Sequence, residues 1–209
     1  MKNSIFSTGK MVRLAVLVAI LIVFCFTPLG RIPLGPVFIT LNMLPVVIGA
    51  IVLGPAGGAI LGTIFGLWSF STCFGTDPFG TALVNQGFGT ALLVAVMCIV
   101  PRFFAGWLPG FIYKALNARL GANEGGKIAA VALTSLSGSL LNTVLFVGAL
   151  VLLFAKNPLT AEAFGTTNAW PIITALITSN ALLEAVVCTV IGGAVARALI
   201  HFLPVKRRA

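Results

Sequence analysis

The chain has 209 residues, 59% hydrophobic and only 8% charged, so it lacks the polar side chains to cover a water-facing surface; a soluble globular domain is excluded and an integral membrane protein expected. Its formal charge of +9 comes from 13 Lys and Arg scattered in short segments between apolar runs, a positive-inside pattern that argues against nucleic-acid binding. Cys25, Cys73, Cys98 and Cys188 show no CxxC spacing and His201 stands alone, so neither a zinc site nor a disulfide framework is indicated, and no metal or cofactor is expected.

Crossing the hydrocarbon core takes about 20 mostly apolar residues. Six segments qualify, at 12–29, 40–54, 56–72, 92–116, 128–155 and 170–203, and the chain reads as a single integral membrane domain, 1–209, of the all-α class. The first segment has the charges and apolar core of a signal peptide, but no convincing small-x-small cleavage site follows it, so it reads as a retained span. The second and third are separated only by Leu53, Gly54 and Pro55, where Gly ends one helix and Pro starts the next, predicting a tight helical hairpin. Connections at 30–39, 73–91 and 156–169 are rich in Gly, Pro, Thr and Asn, as expected of water-facing loops able to fold over a pocket.

The fourth span has two registers. One runs from 82 to 101, leaving Arg102 at the membrane edge and Phe103 to Leu116 as a surface helix; the other begins near Leu92. The second is preferred, because Asn85, Gln86, Gly87 and Gly89 read as loop, and Gly106 and Gly110 form a small-xxx-small pair suited to close helix packing. Pro101 would then kink the helix, with Arg102 in its outer half.

Six spans place both termini on one side, together with Lys2, Lys10, Arg13, Lys114, Arg119, Lys127, Arg197, Lys206, Arg207 and Arg208. Only Arg31 and Lys156 oppose them, so both termini are expected in the cytoplasm. No GxxxxGK[ST] phosphate loop occurs, so any ATP-driven step would need an ATPase on another subunit.

Along the spans in their predicted directions, Asn42, Trp68, Ser69, Thr72, Asn142, Asn180 and Glu184 fall toward the outer half, whereas the inner halves are nearly pure Ala, Val, Leu, Ile and Gly. That asymmetry predicts a ligand pocket in the outer half, closed by packing below. Arg102 is the only charged residue between Asp77 and Lys114, and a charge held within an apolar span usually faces a protein interior and carries a function. Its guanidinium suits an anionic ligand through two parallel hydrogen bonds to a carboxylate. Asn180 and Glu184, four residues apart, share one helix face. Trp68 would cover an apolar part of the ligand, Asn85 and Gln86 complete the candidate binding set, and Trp107 and Trp170 read as interface anchors. A purely structural reading accounts for the same residues: Glu184 neutralises Arg102 and the asparagines tie helices together.

Two other classes fit less well. A self-sufficient secondary transporter would show internal repeats and several poised ionisable groups, whereas the chain has no clear repeat and essentially one such pair, Arg102 and Glu184. A membrane enzyme would need a nucleophile with its base, paired carboxylates or intramembrane metal ligands, and none is found.

The pattern resembles the substrate-binding S components of energy-coupling factor (ECF) vitamin transporters. The residues that carry the resemblance are Ala15 and Ala19 as an AxxxA pair in the first helix, the segment from Gly35 to Phe70, and the Pro101-Arg102 pair before a Gly-spaced helix. The run FTPLGRIPLGP and the LGPAGGAILG turn look most like the pantothenate-specific branch. The resemblance implies a subunit, not itself an enzyme, in a prokaryotic plasma membrane. It would bind a vitamin on its outer side and dock through Ala15 and Ala19 on a membrane scaffold bearing two ABC ATPases. Pantothenate, with one carboxylate, an amide and two hydroxyls, matches Arg102, Trp68, Glu184 and the asparagines; folate and cobalamin are the alternatives.

Overall fold

The computed structural model describes residues 8–27, 30–34 and 37–164 together with Val186, Thr189, Val190, Ile191, Ala194 and Ala198. The elements in chain order are α1 (Thr8–Phe26), β1 (Arg31–Leu34), β2 (Val37–Thr40), α2 (Met43–Val52), α3 (Pro55–Thr72), α4 (Pro78–Val84), α5 (Phe88–Leu120), α6 (Glu124–Phe154) and α7 (Pro158–Phe164). The expected sixth span lies outside the described residues apart from those six positions.

The architecture is helical, with one short addition. Residues expected to form only a loop pair as an antiparallel hairpin, with Arg31 opposite Thr40 and Leu34 opposite Val37. Both strands carry β-branched or aromatic residues, and Pro33 is tolerated because each strand of a two-stranded sheet has a free edge.

Among the described residues, α1, α5 and α6 are long and apolar enough to cross a membrane. The segment expected to span from 40 to 54 yields a helix of only 10 residues, about 15 Å of the ~30 Å hydrocarbon thickness. The hairpin takes its first part, and α2 is the buried remainder. The turn from α2 into α3 forms as expected: Gly54 has φ 86°, open to glycine at little cost, and Pro55 opens α3.

The preferred register of the fourth span, 92–116, falls inside one longer helix, whereas the alternative that ended the span at 101 and left Phe103 to Leu116 as a separate surface helix does not form. A single helix, α5, runs for 33 residues through Pro101 and Pro109, about 50 Å long. It begins at Phe88, so Gly89 is helical, while Asn85 to Gly87 form the turn. The connections expected as loops at 73–91 and 156–169 carry the short helices α4 and α7.

Helices α3 and α5 pack antiparallel at backbone distance. A Cβ added to Gly62 would strike the Arg102 carbonyl oxygen, one on Gly58 the Gly106 carbonyl, and one on Gly110 the backbone of Pro55. Small residues four apart on α3 therefore meet the Gly106–Gly110 pair of α5, which lets two helices approach without a layer of side chains. A core cluster centred on Leu21, Met43, Val46, Leu61 and Ala105 joins α1, α2, α3 and α5, and a second, around Leu83, Val94, Met97 and Phe154, fills the end near α4 and α7.

Candidate functional site

Pro101 and Arg102 work as a unit. Proline has no N–H, so the i−4 carbonyl of Met97 loses its helical donor. The Arg102 Nη1 donates to that carbonyl oxygen at 3.1 Å. The helix thus continues through the proline, and the arginine is held inside the bundle, 7% exposed. Its guanidinium carbon lies 3.9 Å from the Phe146 ring centroid on α6 and 5.8 Å from that of Phe65 on α3. Ring faces carry negative potential and stabilise a cation removed from water, by ~2 kcal/mol when desolvated.

The expected site residues divide into those brought near Arg102 and those placed elsewhere. Trp68 is half-buried and stacks on Phe65 at 6.2 Å, which makes it the second ring out from the guanidinium. Asn142 lies one turn before Phe146 on α6, is 9% exposed, and its Oδ1 has no hydrogen-bond partner among the described residues. Asn42 sits at the entry to α2 but does not cap it. Its side chain is buried under Gly30, with neither amide atom hydrogen-bonded among the described residues. Gln86 is exposed and exchanges two hydrogen bonds with Asn157, at 3.2 and 2.8 Å, clasping the turn after α4 to the turn before α7; Asn85 is exposed beside it. Asn180, Glu184 and Trp170 lie outside the described residues.

Sequence reasoning missed Ser135 and Ser139. With Asn142 and Phe146 they make one face of α6 at spacings of four, three and four, ending at the arginine. Both serines are buried and neither hydroxyl is hydrogen-bonded among the described residues. This contrasts with Thr134 and Ser137 on the same helix, which donate to carbonyls of Ala130 and Thr134. Buried polar groups are normally satisfied, so this face holds hydrogen-bonding capacity reserved for something other than its own helix.

Charge divides along the bundle. Lys10, Arg13, Lys114, Arg119 and Lys127 gather where α1 and α6 begin and α5 ends, with Glu124 among them; Asp77, Lys156 and Glu162 lie at the opposite end. Ala15 and Ala19 are exposed on α1. Trp107 lies in a surface cluster with Phe103, Phe104 and Phe111, over which Lys114 reaches, away from Arg102's buried face.

The chain matches the family described as ECF transporter, substrate-specific component, over residues 9–195. It is also 32% identical over 176 residues to the pantothenic acid transporter PanT of Lactococcus lactis subsp. cremoris (strain MG1363), an alignment covering 78% of this chain and 79% of that protein. That family comprises substrate-binding transport components rather than enzymes. The chain therefore belongs to the substrate-specific components of ECF transporters, the membrane subunits of vitamin uptake.

Proposed function

We propose that the chain captures pantothenate on the extracellular side of a prokaryotic plasma membrane and releases it inward when docked on an ATP-hydrolysing module. The observation that carries this reading is Arg102, a cation held inside the bundle between two aromatic rings and next to the Asn142 face of α6. The ligand carboxylate would take the guanidinium through charge-assisted hydrogen bonds, displacing or sharing the Met97 contact. Its amide and hydroxyls would be read by Asn142, Ser139 and Asn42, with Trp68 against the apolar part; Asn180 and Glu184 complete the proposed set. That the Lactococcus lactis relative is a pantothenic acid transporter favours this vitamin over folate or cobalamin.

In this reading six helices cross the membrane with both termini in the cytoplasm, because the basic end of the bundle belongs on the side that retains Lys and Arg. The exposed pair Ala15 and Ala19 offers a smooth face for a scaffold helix, and two ABC ATPases on that scaffold would supply the energy. Calorimetric titration of purified protein with a panel of water-soluble vitamins tests the reading. Tight pantothenate binding that Arg102→Ala abolishes is expected. Tight binding of another vitamin discards the substrate, and uptake driven by a gradient without any ATPase would mark a secondary transporter.

A further inference from the structure

A groove of about 470 Å³ runs between α1 and α2, with Ile191 of the last segment also in its wall and no polar atom lining it. Leu17, Leu44 and Ile48 form its buried floor, while Val12, Val16 and Ile20 of α1 are 59, 53 and 40% exposed along its rim. Phe24 closes one end and Arg13 stands at the other. From Arg13 to Phe24 the helix advances about 17 Å, close to the ~15 Å depth of one leaflet's hydrocarbon.

Arg13 gives the groove a polarity. Since the wall is wholly apolar, Arg13 contributes its aliphatic stem and carries its guanidinium beyond the groove's mouth. Lys10, three residues earlier and exposed, lies on the same side of the helix. Neither cation forms an ion pair among the described residues. One apolar slot of leaflet depth, ending at two cations, has the shape and charge complementary to a single lipid: an acyl chain along the slot and an anionic headgroup at the mouth. Ala15 points about 200° around the helix from Arg13 and from Leu17, while the rim residues Val12 and Val16 stand three residues before Ala15 and Ala19, so the groove opens beside the alanine face and its floor faces away from it.

We propose that the α1–α2 groove binds one anionic phospholipid from the leaflet around the N-terminal half of α1, with Arg13 and Lys10 holding its phosphate. Each cation near an anionic headgroup contributes about fivefold in affinity.

The test is native mass spectrometry of the full chain after delipidation and exposure to an equimolar mixture of phosphatidylglycerol and phosphatidylcholine. One phosphatidylglycerol per chain is expected to be retained in preference. Arg13→Gln should lower that preference about fivefold, and the Lys10→Gln, Arg13→Gln double variant should bring the two lipids near parity. Val16→Trp, at an exposed rim position, should reduce retention of either lipid, with an unchanged melting temperature reporting intact folding. Equal retention of both lipids by the native chain, meaning annular lipid only, would overturn the proposal. So would an unaltered preference in Arg13→Gln, or a dimer that forms in place of lipid binding. No vitamin is needed for this measurement, so the lipid site and the proposed substrate fail separately.

Discussion

Gly62→Ala tests the closest contact in the bundle. The added Cβ would meet the Arg102 carbonyl oxygen, with the Arg102 carbonyl carbon at 3.0 Å and the Gly106 Cα at 3.4 Å. These are all backbone atoms, so no side chain can rotate aside. α3 and α5 must separate by about 1 Å to restore an ordinary carbon–oxygen contact of about 3.3–3.6 Å, which forfeits up to about half of the dispersion attraction across the interface. Overpacking of this kind costs about 1–3 kcal/mol. Alanine also favours the helix over glycine by up to about 1 kcal/mol, and Gly148→Ala isolates that gain, since nothing lies within 4 Å of a Cβ there. Thermal unfolding of both variants in one detergent should therefore place Gly62→Ala about 2–12 °C below Gly148→Ala. Because the displaced backbone carries Arg102, ligand affinity should fall as well. If Gly62→Ala melts at or above the control with native affinity, the glycine contact does not position the arginine.

Asn142→Leu should raise the melting temperature of ligand-free protein by a few degrees, since it removes a buried unsatisfied acceptor worth about 1–3 kcal/mol, yet weaken vitamin binding in calorimetry. A loss of stability would show that Asn142 is a structural tie. Arg102→Lys should keep the charge but lose the planar fork, lowering affinity for the carboxylate at least tenfold; native affinity would rule out bidentate recognition. Pro101→Ala should restore an N–H for the Met97 carbonyl and release Arg102 from it, so that affinity changes while the helix is retained by circular dichroism; unchanged affinity would separate the proline from the site. Ala15→Trp should bind vitamin normally but fail in coupled uptake with the ATPase module, and normal uptake would exclude this face as the docking surface.

The sequence exposed those features that depend on one strong local rule. Leu53-Gly54-Pro55 permits little but a turn between helices, and Arg102 is too costly in an apolar stretch to face lipid. Gly106 and Gly110 were legible as a packing surface, but the partner that they meet, Gly58 and its neighbours on α3, depends on how two helices cross. The hairpin from Arg31 to Thr40 escaped because four-residue strands give too short an alternation to separate from loop. The preferred register carried α5 through Pro101, but the donor to the Met97 carbonyl escaped, because it comes from a side chain one residue later. Ser135 and Ser139 carry no distinguishing local signal, since most serines in such helices bond their own backbone, as Ser137 does. Only their spacing with Asn142 and Phe146 marks the face.

Under the proposed function, Arg102 and the α6 face would solve opposite halves of one problem. A charge in an apolar interior must be stabilised before any ligand arrives, yet not so firmly that a ligand gains nothing by replacing the stabilising groups. Two ring faces and one carbonyl contribute to the first condition, and each of these contacts is weaker than a carboxylate ion pair. Ser135, Ser139 and Asn142 would meet the second, since hydrogen-bonding capacity without a partner among the described residues could be satisfied by a ligand. Anionic and hydroxyl-bearing portions of a vitamin would thus be favoured together, and a ligand with only one of them would leave either the cation or the polar face unsatisfied.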